Sequence, residues 1–260
     1  MKKMKINERR MNKLFIFATI LLFSAILYGC FSAQSVIKKT SEKYPIPDNG
    51  IHKDIPYYDS LPYPYVFYTY ARQKEDALNL PKLLNGYNDF IFRVWITSPS
   101  RTLQPGELIE IRQTNNEWSG TYYNMTIKFV YSKNEEQIKE FKKYDIHPKN
   151  ITWNQLMGYL VEDGIFELRS LDQLDEYKAL PEDQKGYAPG SSTISFEVAT
   201  SQLYRFFQYN SLPKYIQFPE VQQVQRIMNL LTSEFAVGEF LENSDSQIII
   251  HDLREAKPEN

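Results

Sequence analysis

Residues 106–131 constrain the fold most, because their side chains alternate over a length that suits paired strands. In GELIEIRQT, Ile109 and Ile111 fall on one side and Glu110 and Arg112 on the other. After a turn-like NNE, WSGTYYNMTIKFVY sends Tyr123, Met125, Ile127, Phe129 and Tyr131 one way, and Tyr122, Asn124, Thr126, Lys128 and Val130 the other. A period of two on both sides of a polar turn predicts a β-hairpin. A second hairpin is predicted from STISFEVA, with Ile194, Phe196 and Val198 inward, and QLYRFFQYN, joined by a short ATS connection. DFIFRVWIT, residues 89–97, is a continuous apolar run with Arg93 inside it. Residues 66–70 have good strand propensity, with prolines confined to their entrance. Antiparallel sheet is the economical arrangement of these segments.

Helices are expected between and after the strands, because their starts are marked. Asn134 followed by Gln137, Thr152 by Gln155, and Ser170 by Gln173 each have capping-box spacing, in which the first side chain satisfies an orphaned backbone N–H. The first would open EEQIKEFKKY, acidic at its beginning and basic at its end, as the helix dipole prefers. In the second, Trp153, Leu156, Met157 and Leu160 form an apolar stripe that Asp163-Gly164 ends. The longest helix has Pro219 in its first turn and carries Val221, Val224, Ile227, Met228, Leu231 and Phe235 on one face. Strands, helices, strands and a final helix predict an α+β fold: a single domain over residues 61–242, with a mainly antiparallel sheet packed by a few helices.

The chain's beginning reads differently. Lys2, Lys3, Lys5, Arg9, Arg10 and Lys13 precede LFIFATILLFSAIL, residues 14–27, which is followed by small or turn-forming residues. A cationic segment ahead of a short apolar run is the layout of a signal peptide, with a second candidate start at Met11. As a helix the run spans about 21 Å, short of the roughly 30 Å hydrocarbon core of a bilayer. Without the first 29 residues the chain has 24 basic and 31 acidic side chains, a net charge of −7 against −2 for the whole. An acidic body without a basic block lacks the electrostatic footprint of nucleic-acid binding. Leu27, Tyr28, Gly29 and Cys30 follow the apolar run, and Cys30 is the sole cysteine.

Those four residues resemble a bacterial lipobox, with Tyr28 in place of the usual small residue. The resemblance implies cleavage before Cys30, a diacylglyceryl group on its sulfur and acylation of the new amino group. Residues 1–29 would then be the lipoprotein signal peptide, 30–60 the lipidated cysteine and a tether, and 243–260 a C-terminal tail. Phe31, rather than Asp, follows the cysteine, which resembles the pattern that permits transfer to the outer membrane, facing the periplasm. The protein's first partner would be the membrane, through its N-terminal lipid. With that thiol used, no disulfide is available and the fold relies on its core. The stretches ISFEVATSQLYRFFQYNSL and RIMNLLTSEF also resemble the ends of exported or lipid-anchored proteins of Bacteroidetes-type bacteria, which implies a fold family more than an activity.

Motifs of chemistry are sparse. The chain has no Gly-x-Ser-x-Gly elbow, no His-Glu-x-x-His pair and no phosphate-binding glycine loop. His52, His147 and His251 are far apart, so no metal site or other cofactor is expected. Arg93, Glu110, Arg112, Lys128, Glu167, Arg169, Glu197 and Arg205 all fall in expected strands, either as a solvated face or as a polar cleft, with Glu197 and Arg205 paired across the second hairpin. Two functions fit. The favoured one is a non-enzymatic binding or assembly module for an envelope protein or glycan, using the sheet face or the aromatic group Tyr63, Tyr65, Phe67, Tyr68 and Tyr70. The other is a hydrolase acting on an envelope glycan through Glu167 and Glu197, which requires their carboxylates about 5 to 10 Å apart.

Overall fold

The continuous apolar run becomes the central strand of a seven-stranded sheet. The structure, a computed structural model, describes residues 46, 48–56, 66–98, 103–130, 135–186, 188 and 190–237. Its strands are β1 (His52–Asp54), β2 (Phe90–Thr97), β3 (Leu103–Thr114), β4 (Glu117–Val130), β5 (Glu135–Ile146), β6 (Thr193–Thr200) and β7 (Leu203–Asn210). They lie in the order β1-β7-β6-β2-β3-β4-β5. All neighbours are antiparallel except β1, which runs parallel to β7. Four helices pack on this sheet: α1 (Val66–Ala77), α2 (Trp153–Glu162), α3 (Asp175–Lys178) and α4 (Pro219–Phe235). The result is a single α+β domain. Among the described residues no helix is long and apolar enough to cross a membrane.

Apart from Arg93 and the terminal Thr97, β2 is apolar on both sides because both faces of the sheet are covered. Phe92, Val94 and Ile96 face a large core with Phe196 and Val198 of β6, Leu156 and Leu160 of α2, and the whole predicted stripe of α4. The rings of Phe196 and Phe207 stack there, 4.9 Å between centroids. Ile91 and Trp95 face a smaller core beneath α1, with Ala71, Leu83, Leu108, Tyr123 and Met125. Both predicted hairpins form, β3 with β4 and β6 with β7. Helix α2 starts as its spacing predicts: Thr152 Oγ1 accepts the Gln155 N–H at 3.3 Å, and Gln155 Oε1 accepts the Thr152 N–H at 2.9 Å. Ser170 also donates its N–H to Gln173 Oε1, but it opens only a single 3-10 turn, Leu171–Gln173.

Four expectations are corrected. Residues 66–70 are the first part of helix α1 and not a strand. Their aromatic and β-branched propensity yields to the helix formers that follow, Ala71 to Ala77 in sequence, and to docking on the sheet. EEQIKEFKKY is not a helix but most of β5. Its register shifts by one residue against Thr126 and Ile127, so that Ile138 lies opposite Ile127 and Phe141 opposite Met125. A bulge of this kind puts residues three apart on one face and thereby imitates helical spacing in the sequence. Glu167 and Arg169 lie in the turn and loop after α2, outside any strand. Finally, the sheet takes in His52–Asp54 from the stretch expected as tether. The signal peptide, Cys30, Asn134, the tail and His251 lie outside the described residues.

Candidate functional site

Strand register decides where the charges of the sheet go. Arg93 stands opposite Glu110 of β3 and Glu197 of β6, all three on the face covered by α1. From α1 come Arg72 and Glu75, three apart and so on one side of the helix. Arg93 donates through Nε to Glu110 Oε2 at 2.6 Å, through Nη1 to Glu75 Oε1 at 2.9 Å, and through Nη2 to the Pro81 carbonyl at 3.2 Å. Glu197 accepts Trp95 Nε1 and the Tyr204 hydroxyl, each at 2.6 Å, and the guanidinium of Arg72. Arg72 also pairs with Glu75, and Arg112 with Glu110. Three guanidinium groups thus balance three carboxylates. Arg93, Glu75, Glu110 and Glu197 have no exposed surface.

Ions removed from water this completely need charged partners and hydrogen bonds, and here each carboxylate has both. The network ties α1 to the sheet and leaves none of its carboxylates facing solvent for proton transfer. Glu197 does not pair with Arg205, which sits opposite Val198 and projects to the other face. There Arg205 donates to Asp54 Oδ2 through Nε at 2.9 Å and Nη2 at 2.7 Å, and to the carbonyls of Leu168 and Phe166. Glu167, between those two carbonyls, therefore lies across the sheet from Glu197. The carboxylate pair required for hydrolysis is not assembled from these two residues.

Beyond Trp95 the network gives way to a cleft of about 200 Å³. Lys74, one helical turn after Tyr70, forms part of its wall. Its ammonium lies 3.0 Å from Glu136, 3.5 Å from Thr97 Oγ1 and 5.3 Å from the centre of the Trp95 ring. The rest is neutral: Thr97 at the end of β2, Gln104 at the start of β3, Thr193 and Ser195 on β6, and Gln208 on β7. Ser195 donates to Gln208 Oε1 at 3.4 Å. The Gln104 side chain, although buried, has no hydrogen-bond partner among the described residues, and the Nε2 hydrogens of Gln208 have none either. Tyr70 packs edge-on against Phe129, 5.9 Å between ring centroids. Tyr63 and Tyr65, and the side chains of Phe67 and Tyr68, lie outside the described residues.

A second cleft, of about 170 Å³, opens between β5 and the end of α4, lined by Tyr144, Asp145, His147 and Phe235 among others. Tyr122 at its edge is held well above the usual phenol range by burial and by the neighbouring Glu107 carboxylate. Among the described residues no three His, Cys, Asp or Glu side chains are grouped to hold a metal ion. His52 is on β1, and His147 packs edge-on near Trp153.

Sequence reading found Arg93, Glu110, Arg112 and Glu197 but missed Arg72, Glu75 and Lys74, which sit in the helix read as a strand. It also missed Gln104 and Gln208. Strand parity could have placed Gln208 with Ser195 and Glu197, since alternate residues of paired strands share a face. Comparison of the chain with protein-family models, curated proteins and solved structures finds no match.

Proposed function

We propose that the chain is a lipid-anchored protein of the bacterial cell envelope that acts by binding a partner or glycan and not by catalysis. The observation that carries the anchor is the sole cysteine, Cys30, directly behind an apolar run and at the end of the sequence Leu27-Tyr28-Gly29-Cys30. Each acyl methylene buried in the bilayer contributes about 0.8 kcal/mol, so one chain holds marginally and two or three hold firmly. Outer-membrane placement, facing the periplasm, is the orientation that Phe31 favours. Binding is favoured over catalysis because Glu75, Glu110 and Glu197 are buried and each is paired with a guanidinium, whereas the larger cleft offers amides and hydroxyls.

Growth of cells with a clickable fatty-acid analogue tests the anchor. The wild-type protein is expected to be labelled and processed, and Cys30→Ala to be neither; equal labelling of the two overturns it. Purification of the detergent-extracted protein tests the binding reading, with a stoichiometric protein or glycan companion as the expected result. Turnover of an envelope glycan by the purified protein is the contrary one.

A further inference from the structure

We propose that the cleft between α1 and the ends of β2, β3, β6 and β7 is a binding site for a neutral saccharide, one sugar ring or the end of a glycan chain. The inference rests on the binding reading above and gives it a ligand class.

The first argument is charge. Lys74 is the cleft's cation and Glu136 its anion, and they are paired at 3.0 Å. An anionic ligand would have to displace Glu136, and a cationic one Lys74, whereas a neutral hydroxyl can join the pair at its rim. The second argument is hydrogen-bonding capacity. A carboxamide donates and accepts at once, as does a hydroxyl, and a sugar ring presents both functions at every carbon that bears oxygen. Gln208 is 3% exposed and Gln104 9%, and yet the Nε2 of the first and the whole carboxamide of the second lack partners among the described residues. Both glutamines line the cleft and are not sealed in the core, so a ligand that enters is offered the donors and acceptor they leave free. Thr193 and Ser195 extend the same wall.

The third argument is size and shape. A volume of about 200 Å³ is below the roughly 300–1,000 Å³ of drug-sized ligand sites, so the cleft takes one ring and not an extended peptide. Tyr70 supplies an aromatic wall against which the C–H face of a sugar packs. Together these features describe a site that reads hydroxyl positions without requiring charge.

The test uses the full chain in detergent. Glucose, galactose, mannose and N-acetylglucosamine, each free and as a short oligomer, are titrated by calorimetry and saturation-transfer NMR beside the charged analogues glucuronate and glucosamine and a neutral tripeptide. At least one neutral sugar is expected to bind saturably, with Kd of about 1 mM or tighter. It should bind more tightly than its charged analogues and the peptide. Gln104→Ala and Gln208→Ala should each weaken that binding about tenfold, with unchanged circular dichroism and melting. Ser233→Ala, on the exposed side of α4, serves as the control that leaves it unaltered. The inference is overturned if no neutral sugar binds, if a charged analogue or the peptide binds best, or if both glutamine variants bind as the wild type does. Its failure is separable from that of the wider reading: a protein companion co-purifying with a chain that binds no sugar removes the ligand class alone, and an unlabelled Cys30 removes the anchor alone.

Discussion

Arg93 of β2 and Glu75 of α1 are held 2.9 Å apart with neither side chain exposed to solvent. The pair joins the middle of the sheet to the helix that covers it, so breaking it should do more than remove a surface charge. Loss of one partner leaves the other buried and unpaired, at a cost of about 3–5 kcal/mol. Glu75→Ala and Arg93→Ala are each expected to lose that much in urea unfolding. The double variant should lose less than the sum, by about 0.5–3 kcal/mol, because the two share one network.

Glu234, near the end of α4, accepts the Asn150 backbone N–H at 2.9 Å and the Asn150 side-chain amide at 3.2 Å. That backbone donor, first among its neighbours, holds the Glu234 carboxyl below the usual range, with burial working against it. A carboxyl whose folded pKa is depressed adds stability above its unfolded value, about 4.3. That contribution is lost as pH falls through the lower folded value. Glu234→Gln should therefore cost about 1–2 kcal/mol at pH 7, with the gap from wild type closing as unfolding is measured down toward pH 3.

Glycines in two places should respond in opposite directions. A Cβ on Gly120 of β4 would stand 2.7 Å from the Trp153 ring and 2.8 Å from the Ile146 carbonyl oxygen, and a carbonyl cannot rotate away. Gly120→Ala should destabilise by about 1–3 kcal/mol. Gly158, on the exposed side of α2, has nothing within 4 Å of that position. Gly158→Ala should raise stability by about 0.5–1 kcal/mol through helix propensity. Thermal melts of the two variants check both signs.

The β3–β4 hairpin turns through Asn115 and Asn116, with φ of 52° and 66°. Positive φ at both central residues is the requirement of the two-residue turn that matches strand twist, and glycine meets it at lower cost than any side chain. Asn116→Gly should be neutral or slightly stabilising, and Asn116→Val should cost about 1–2 kcal/mol in the same unfolding measurement.

The turn and both hairpins could be read from sequence because their information is local. Alternation, turn residues and caps act over a few positions, and Thr152, Pro219 and the stripe of α4 behave as their spacing predicts. What escaped notice depends on partners. Ile138 and Phe141 reach one face only because of a bulge that β4 imposes. Residues 66–70 become helical because the helix that includes them docks on the sheet through Arg72 and Glu75. The cleft is further still from local information, since Lys74, Gln104, Ser195 and Gln208 come from four elements that only the strand order brings together.

That strand order also sets a sequence of events in time. Asp54 and Arg205 are 151 positions apart, and β1 pairs with β7 at the sheet's edge. A chain synthesised from its N-terminus carries β1 unpaired until β7 has been made, and β2 waits, over a shorter separation, for β6. Contacts of this separation are slow to form. A chain cut short before Asn210 would thus lose support at its beginning as well as its end.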